Sequence, residues 1–359
     1  MSKGNVLVVS RTAWSEAPRL RHQLSRLLRD IGYEIYYVEL LLAVKPIEEN
    51  SEKGINVYTV NERLHHQLKP FTFLQNIDSK YICKSLKRIL PIKDFCFVVN
   101  FNYDNDYTFS LFPSVPVITV INDDFYAMAK PWMRSQVLKN LANTLSKSRI
   151  NLSVSYSLDR QLSQFSPFTE LFLPWSDTKY KKPISNLKRD VVLYYGFVSR
   201  LNLKIAEDLC NSGIKLRFVG PLQGNGFKFK SKFGSYPNVE FLNETKLSDL
   251  DVSDVFCAVA LYDSKLASVQ AITASNRMFQ LLAVGIPLVY PNLPNLILAS
   301  DQVIRRCTST SDFLDAISYF EVNFNKVQPV IEHFLLNHTK INRIQIFENI
   351  IKDLNTVIK

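Results

Sequence analysis

Ser275, Asn276 and Arg277 stand at the mouth of a short amphipathic stretch, "SNRMFQLLAVG", which runs straight into the apolar segment "IPLVYP". Ser275 or Asn276 suits the N-cap of a helix. The free N–H groups at a helix start favour an anion, and Arg277 adds positive charge there. A capped core helix accounts for the same residues equally well. A second constellation lies upstream in "YYGFVSRLNLK". Gly196 follows an apolar strand, where a backbone can approach a ligand closely. Arg200 and Lys204 follow on the next turn. A glycine turn with two cations suits a diphosphate, arginine supplying paired donors and lysine a point charge. An ordinary strand–helix connection with two solvated cations is the plainer alternative. Both constellations lie in one half of the chain, in the order a shared ligand would require.

The elements that must position these residues follow an α/β rhythm. "NVLVVS" reads as a buried strand, and leucines at 20, 24, 27 and 28 give helical spacing that Gly32 can stop. "YEIYYVEL", "NVYTV", "DFCFVVNF", "VPVITVIND" and "NLSVSYS" (151–157) read as further strands, with "KPWMRSQVLKNLANTLSKS" as a helix. The polar, basic stretch 170–190 breaks the rhythm and reads as a linker. A second series follows, with strands at "VVLYYGFV", "KLRFVGP", "NVEFLN", "VFCAVALYD" and "IPLVYP". Helices are expected at "LKIAEDLCNSG", "KLSDLDVSD" and 275–284, and one or two more in the tail. Two parallel α/β halves place ligands at the carboxyl ends of their strands, in a cleft between them. The expected domains are 1–172 and 173–335, with a helix at 336–359 packing back towards the first.

The 359 residues are 47% hydrophobic, enough for two cores, and carry a formal net charge of +10. That balance favours an anionic partner without choosing one. Five cysteines are scattered singly, which argues against a zinc site or a disulfide framework. The opening apolar run is too short for a signal peptide. No apolar stretch approaches the roughly 20 residues of a spanning helix. The expectation is a cytoplasmic protein, soluble or held peripherally on the inner face of a membrane.

The order "VVLYYGFV…R…K", "LRFVGP", "NVEFLN" and "SNRMFQLLAVGIPLVYPNLP" resembles the nucleotide-binding half of GT-B fold glycosyltransferases, above all the bacterial group that builds surface polysaccharides such as lipopolysaccharide and O-antigen. The group's "K/R-x-x-E-x-L-A-x-G-x-P-x-V" reads here as Arg277, Gln280, Leu282, Ala283, Gly285, Pro287 and Val289. "SRTAWSEAPRLRHQL" and "INDDFYAM" are similar in the first half. The resemblance implies an α/β GT-B fold, two Rossmann-like domains facing across a cleft. It implies a nucleotide-diphosphate sugar as substrate, with no separate cofactor. Gly196, Arg200 and Lys204 would lie near the diphosphate. Ser275, Asn276 and Arg277 would lie near the phosphates or ribose, and residues around Phe241–Asn243 near the base. Gly220, Tyr262 and Gln280 join them as donor-binding candidates. Many retaining members carry paired glutamates eight positions apart. Ile272 and Gln280 occupy those positions here, so that route to binding and to retention is in doubt.

Inverting transfer needs a base for the acceptor hydroxyl and cations for the leaving diphosphate. Asp123 and Asp124, just past an apolar strand, are the candidates for base and orienter, with Asp124 preferred. A helix cap is the alternative role. Asp104 and Asp106 come next. Glu16 and Arg19, with Trp14 nearby, are candidates on the acceptor side, whereas His22 reads as an exposed helix residue. No metal site is expected, the protein's own cations acting instead. The chain lacks G-x-x-x-x-G-K-[ST], G-x-G-x-x-G after its first strand, and G-x-S-x-G. Arg11, Arg19, Arg21, Arg26, Arg29, Lys130, Arg134, Lys139, Lys147 and Arg149, with Trp14, Trp132 and Phe125, suit a face on anionic lipid or a solvated surface. No motif supports nucleic acid. The leading expectation is a glycosyltransferase acting on a glycan or lipid-linked oligosaccharide. A nucleotide-sugar epimerase and a non-catalytic nucleotide-sugar-binding protein are the alternatives.

Overall fold

The computed structural model describes residues 2–16, 18–42, 52–64, 72–90, 94–104, 106–184 and 187–356. They form two compact units, Met1–Leu173 with Ile341–Lys359, and Pro174–Lys340. The first holds strands β1 (Asn5–Ser10), β2 (Glu34–Leu41), β3 (Ile55–Asn61), β4 (Phe95–Asn100), β5 (Val117–Ile121), β6 (Ile150–Ser153) and β7 (Thr169–Leu171). They pair in the order β3-β2-β1-β4-β5-β6-β7, every pairing parallel. The second holds β8 (Val191–Tyr195), β9 (Lys215–Val219), β10 (Val239–Leu242), β11 (Val255–Val259), β12 (Leu288–Pro291) and β13 (Ile304–Cys307). Their order is β10-β9-β8-β11-β12-β13, again all parallel. Helices connect the strands: α1 (Leu20–Asp30), α2 (Thr72–Ile89), α3 (Asp106–Leu111), α4 (Phe125–Met128), α5 (Arg134–Lys147) and α6 (Tyr156–Leu162) in the first series. The second has α7 (Leu203–Asn211), α8 (Gly226–Phe233), α9 (Ala267–Gln270), α10 (Asn276–Ala283) and α11 (Thr310–Leu336), after which α12 (Lys340–Thr356) falls almost wholly in the first unit.

Both sheets follow the doubly wound rule, so their central strands are covered on both faces and read as unbroken apolar runs. Val6–Val9 of β1 and Val191–Tyr194 of β8 are buried accordingly. Each sheet reverses direction of growth once, between β1 and β4 and between β8 and β11. Those switch points fix where a ligand can enter each unit.

Three local expectations are corrected. The strand expected over 151–157 stops at Ser153, because the Ser155 hydroxyl accepts the Leu158 N–H and caps α6. The linker expected over 170–190 begins later. Thr169–Leu171 pair with β6, and Phe172, Leu173 and Trp175 are buried. The helix expected in "KLSDLDVSD" is a set of turns, where the Asp251 carboxylate accepts the Ser253 N–H at 2.9 Å. Among the described residues, no helix is long and apolar enough to cross a membrane.

Candidate functional site

At the second switch point, Gly196 directly follows β8 and Arg277 sits in the first turn of α10. Gly196 has φ +141°, and a Cβ there would strike the Arg277 guanidinium. Gly220, after β9, has φ +140°, and its Cβ would strike the Gly196 carbonyl. Both positions therefore need glycine for space as well as for backbone angle. The Gly196 N–H donates to Val219 O at 2.9 Å, tying the two turns together.

Arg277 is enclosed by aromatic groups. Its Nη1 donates to Tyr195 O at 3.4 Å, and its guanidinium lies 5.8 Å from the Phe197 ring centre. Burial disfavours its charge. The neighbouring phenols Tyr262, Tyr290, Tyr194 and Tyr195 push its pKa upward overall. They do so only where they ionise, and burial holds the Tyr194 and Tyr290 phenols above their ordinary range. Burial therefore keeps Tyr194, Tyr195 and Tyr290 uncharged at neutral pH, and no carboxylate among the described residues pairs with Arg277. A largely buried cation without a counter-ion is costly until an anion arrives.

α10 supplies further donors. Ser275 is at the N-cap with extended backbone, but its side chain makes no cap bond. It contacts the Tyr290 phenol instead. Asn276 is thus not the cap. It is the first helical residue, buried, and its Nδ2 has no partner among the described residues. The first N–H groups of any helix lack intrahelical partners, so this corner gathers unsatisfied donors around one cation. Gln280, one turn on, is half-buried.

Beside Gly220 lies an open pocket of about 220 Å³, lined by Pro221, Phe227, Lys230, Phe241, Leu242 and Asn243. Phe241 stacks on Phe218 at 5.0 Å, which fixes its ring. The Lys230 ammonium lies 5.9 Å from the Phe241 centre. The remaining predicted cations make contacts of their own, and Arg200 lies beside the segment that carries Tyr262, since Leu201 bridges Tyr262. Arg200 has φ +55° and donates to Ser268 O at 3.1 Å. Lys204 is 77% exposed at its side chain and bonds Asp208 at 2.6 Å, one turn along α7. Among the described residues, the Lys204 ammonium is paired with Asp208 alone. The sequence reading missed Tyr194, Tyr195 and Tyr290. Their one signal is tyrosine at strand ends beside a glycine turn.

In the first unit, Asp124 is the N-cap of α4, its Oδ1 accepting the Ala127 N–H at 2.9 Å. Its other oxygen bonds no described residue. Asp123 Oδ2 accepts from Asn122 Nδ2. Asp104 is buried in an ion pair with Arg11 at 2.8 Å, and Arg11 also bonds Glu62 at 2.9 Å. Asp106 accepts from Asn143 and Lys147. Glu16 pairs with Arg19 at 2.7 Å, so the two acceptor-side candidates meet each other.

His22 corrects the expectation of exposure. It is buried against Trp14 and Tyr37. Its Nδ1 accepts the Arg19 N–H and its Nε2 donates to Ala13 O at 3.1 Å, which defines the neutral tautomer. Burial lowers its pKa to about 4. Part of the basic, aromatic face suggested by the sequence is engaged within the unit itself, while Trp132 is 63% exposed. Trp14 is buried, Arg11 and Arg19 are ion-paired, and Arg26 and Arg29 both hold Glu52. Arg21 donates to Thr12 Oγ1 and lies 5.7 Å from the Phe101 ring centre. No group of three or more metal-ligating side chains occurs among the described residues.

No family model matches the chain, and no curated protein matches it in sequence. Solved structures do match along its whole length. A glycosyltransferase from Rickettsia africae superposes with a TM-score of 0.66 at 11% identity, covering 99% of this chain and 100% of that one. The chain has the GT-B fold. Anabaena HepE in complex with UDP shares that fold at TM-score 0.66 and 11% identity, covering 97% of this chain and 99% of its own. The catalytic domain of Arabidopsis thaliana starch synthase IV, bound to ADP and acarbose, gives 0.66 at 10% identity, with 98% and 99% covered. In the GT-B frame, the Gly196–Arg277 corner lies at the switch point of the second Rossmann-like unit, the place where such sheets take ligands.

Proposed function

We propose that the chain is a glycosyltransferase whose donor is a nucleoside-diphosphate sugar bound by the second unit. The observation that carries this reading is Arg277, a largely enclosed cation with no carboxylate partner among the described residues, set over Gly196 at the start of α10. A diphosphate supplies the missing negative charge and accepts from the free N–H groups of the helix start. The pocket at Phe241–Asn243, flanking Gly220, suits the flat base of the nucleotide. The complexes of Anabaena HepE with UDP and of the Arabidopsis enzyme with ADP agree with this choice of ligand.

The acceptor in this reading is a glycan or lipid-linked oligosaccharide of a bacterial surface polysaccharide, bound by the first unit. Asp124 is the proposed base, held by Oδ1 in the α4 cap with its other oxygen available to a hydroxyl proton. Transfer is proposed to invert the anomeric centre, with Arg277 and the α10 N–H groups neutralising the leaving diphosphate in place of a metal. A thermal-shift screen over nucleoside diphosphates and their sugars tests the donor site. A ligand at 100 times its dissociation constant raises stability by about 2.7 kcal/mol. If no nucleoside diphosphate raises the melting temperature, the donor assignment is wrong.

A further inference from the structure

The outer face of α2 carries exposed side chains that neither the fold nor glycosyl transfer uses. Phe73 is 75% exposed and Ile77 48%, one turn apart. Lys80, Lys84 and Lys87 continue along the helix and are exposed. At 3.6 residues per turn, all five fall within an arc of roughly 80°. The three lysines make no ion pair with any described residue. They line an open groove of about 620 Å³ together with Lys147 from the end of α5. One carboxylate, Asp106, also lines the groove, and it is already held by Lys147 and Asn143.

Like charges at this helical spacing repel one another and weaken an isolated helix. Scattered exposed apolar residues are ordinary on a soluble protein. A phenylalanine and an isoleucine beside uncompensated lysines combine apolar area with positive charge, the two terms that favour an anionic lipid surface. A hydrated anionic polymer would satisfy the lysines but gain little from Phe73 and Ile77. We propose that this face docks on an anionic phospholipid surface, with Lys80, Lys84 and Lys87 on the lipid phosphates and Phe73 and Ile77 in the headgroup boundary. The proposal does not rest on the transferase reading, since docking is read without donor or acceptor.

The test is co-sedimentation of the full chain with vesicles of phosphatidylcholine alone or with about a third phosphatidylglycerol. The protein should pellet only with the anionic vesicles, and less so as salt is raised. K80Q/K84Q/K87Q should lower the partition coefficient on the order of a hundredfold, each lysine near the surface contributing about fivefold. F73S should lower it severalfold while keeping the preference for anionic lipid. Circular dichroism melts confirm that each variant is folded. Failure of the parent chain to pellet with anionic vesicles overturns the proposal. So does equal pelleting of the triple-lysine variant. Capture by a soluble acidic polysaccharide without vesicle binding assigns the groove to an anionic glycan and likewise overturns it.

Discussion

The two Rossmann-like units share a strand order and each places an arginine near its switch point, but they treat that arginine differently. In the first unit, Arg11 follows β1 and is held by Glu62 and Asp104. Burial works against its charge, attraction from Asp104 and Glu62 outweighs that, and its pKa is raised. In the second, Arg277 has phenols and a ring where Arg11 has carboxylates. The same cation is therefore charge-compensated by carboxylates in one unit and not in the other. Under the proposed donor site, that difference in compensation, more than residue type, separates a fold-holding arginine from a ligand-binding one.

The largest expected effect comes from breaking the compensated side. Arg11→Met leaves Glu62 and Asp104 buried without their cation. Removing one partner of such a pair costs about 3–5 kcal/mol. Urea unfolding should show that loss, with nucleotide affinity of the surviving folded protein unchanged. Normal stability in Arg11→Met would mean that the network does not hold the first unit together.

The first unit should also be the pH-sensitive one. His22 is neutral and buried, with a pKa near 4 against an ordinary 6.5. Between those values the unfolded chain binds the proton and the folded chain does not, so stability falls as pH drops from 6.5 towards 4. Above pH 6.5 the group has no effect. The full contribution is roughly 3 kcal/mol. Comparing unfolding of the parent and His22→Gln across this window measures it. Parallel pH profiles would show that His22 is not the responsible group.

Breaking the uncompensated side should give the opposite division. Arg277→Gln removes a charge that the protein itself does not balance, so stability should hold or rise. Donor binding should weaken by about 1.5–3 kcal/mol, the worth of a charge-assisted contact, or roughly ten- to a hundredfold. Calorimetric titration with a nucleoside diphosphate, beside a melt, separates the two effects. A destabilised variant with unaltered affinity would make Arg277 a structural residue like Arg11 and erase the comparison.

Much of the fold was legible because its signals are local. The apolar runs at 5–10, 117–121 and 191–195 became the buried strands they suggest, and the leucines of α1 face the core. Gly196 and Arg277 stood out as residue types, a glycine turn and a helix-mouth cation, although a capped core helix and an ordinary strand–helix connection accounted for them as well. Partners distant in sequence were not. Glu52, Glu62 and Asp104 absorb arginines 23 to 93 positions away, which no spacing rule reveals. His22 looked exposed because its cover, Trp14 and Tyr37, comes from a loop and a neighbouring strand. The cage around Arg277 draws on the ends of β8 and β12 and on the loop after β11, so only the assembled sheet brings it together.

The smallest expected effect is the most discriminating for the donor site. From sequence, Lys204 and Arg277 are both candidate phosphate ligands, eight residues and one glycine turn being no guide to the direction of the lysine. In the fold, the Lys204 ammonium lies on the solvent face of α7 and bonds Asp208 one turn further on. Asp208 also accepts from Thr310, which anchors that carboxylate to the start of α11. An exposed pair of this kind contributes little to stability, and salt screens it. Lys204→Ala should therefore leave donor affinity within about twofold of the parent, while Arg277→Gln loses ten times that or more. The paired titrations need the same nucleotide, buffer and ionic strength, because a general loss of positive charge weakens any anion slightly. If Lys204→Ala weakens the donor as much as Arg277→Gln does, the lysine leaves Asp208 to reach the diphosphate, and the ligand-bound turn after Gly196 differs from the one described here.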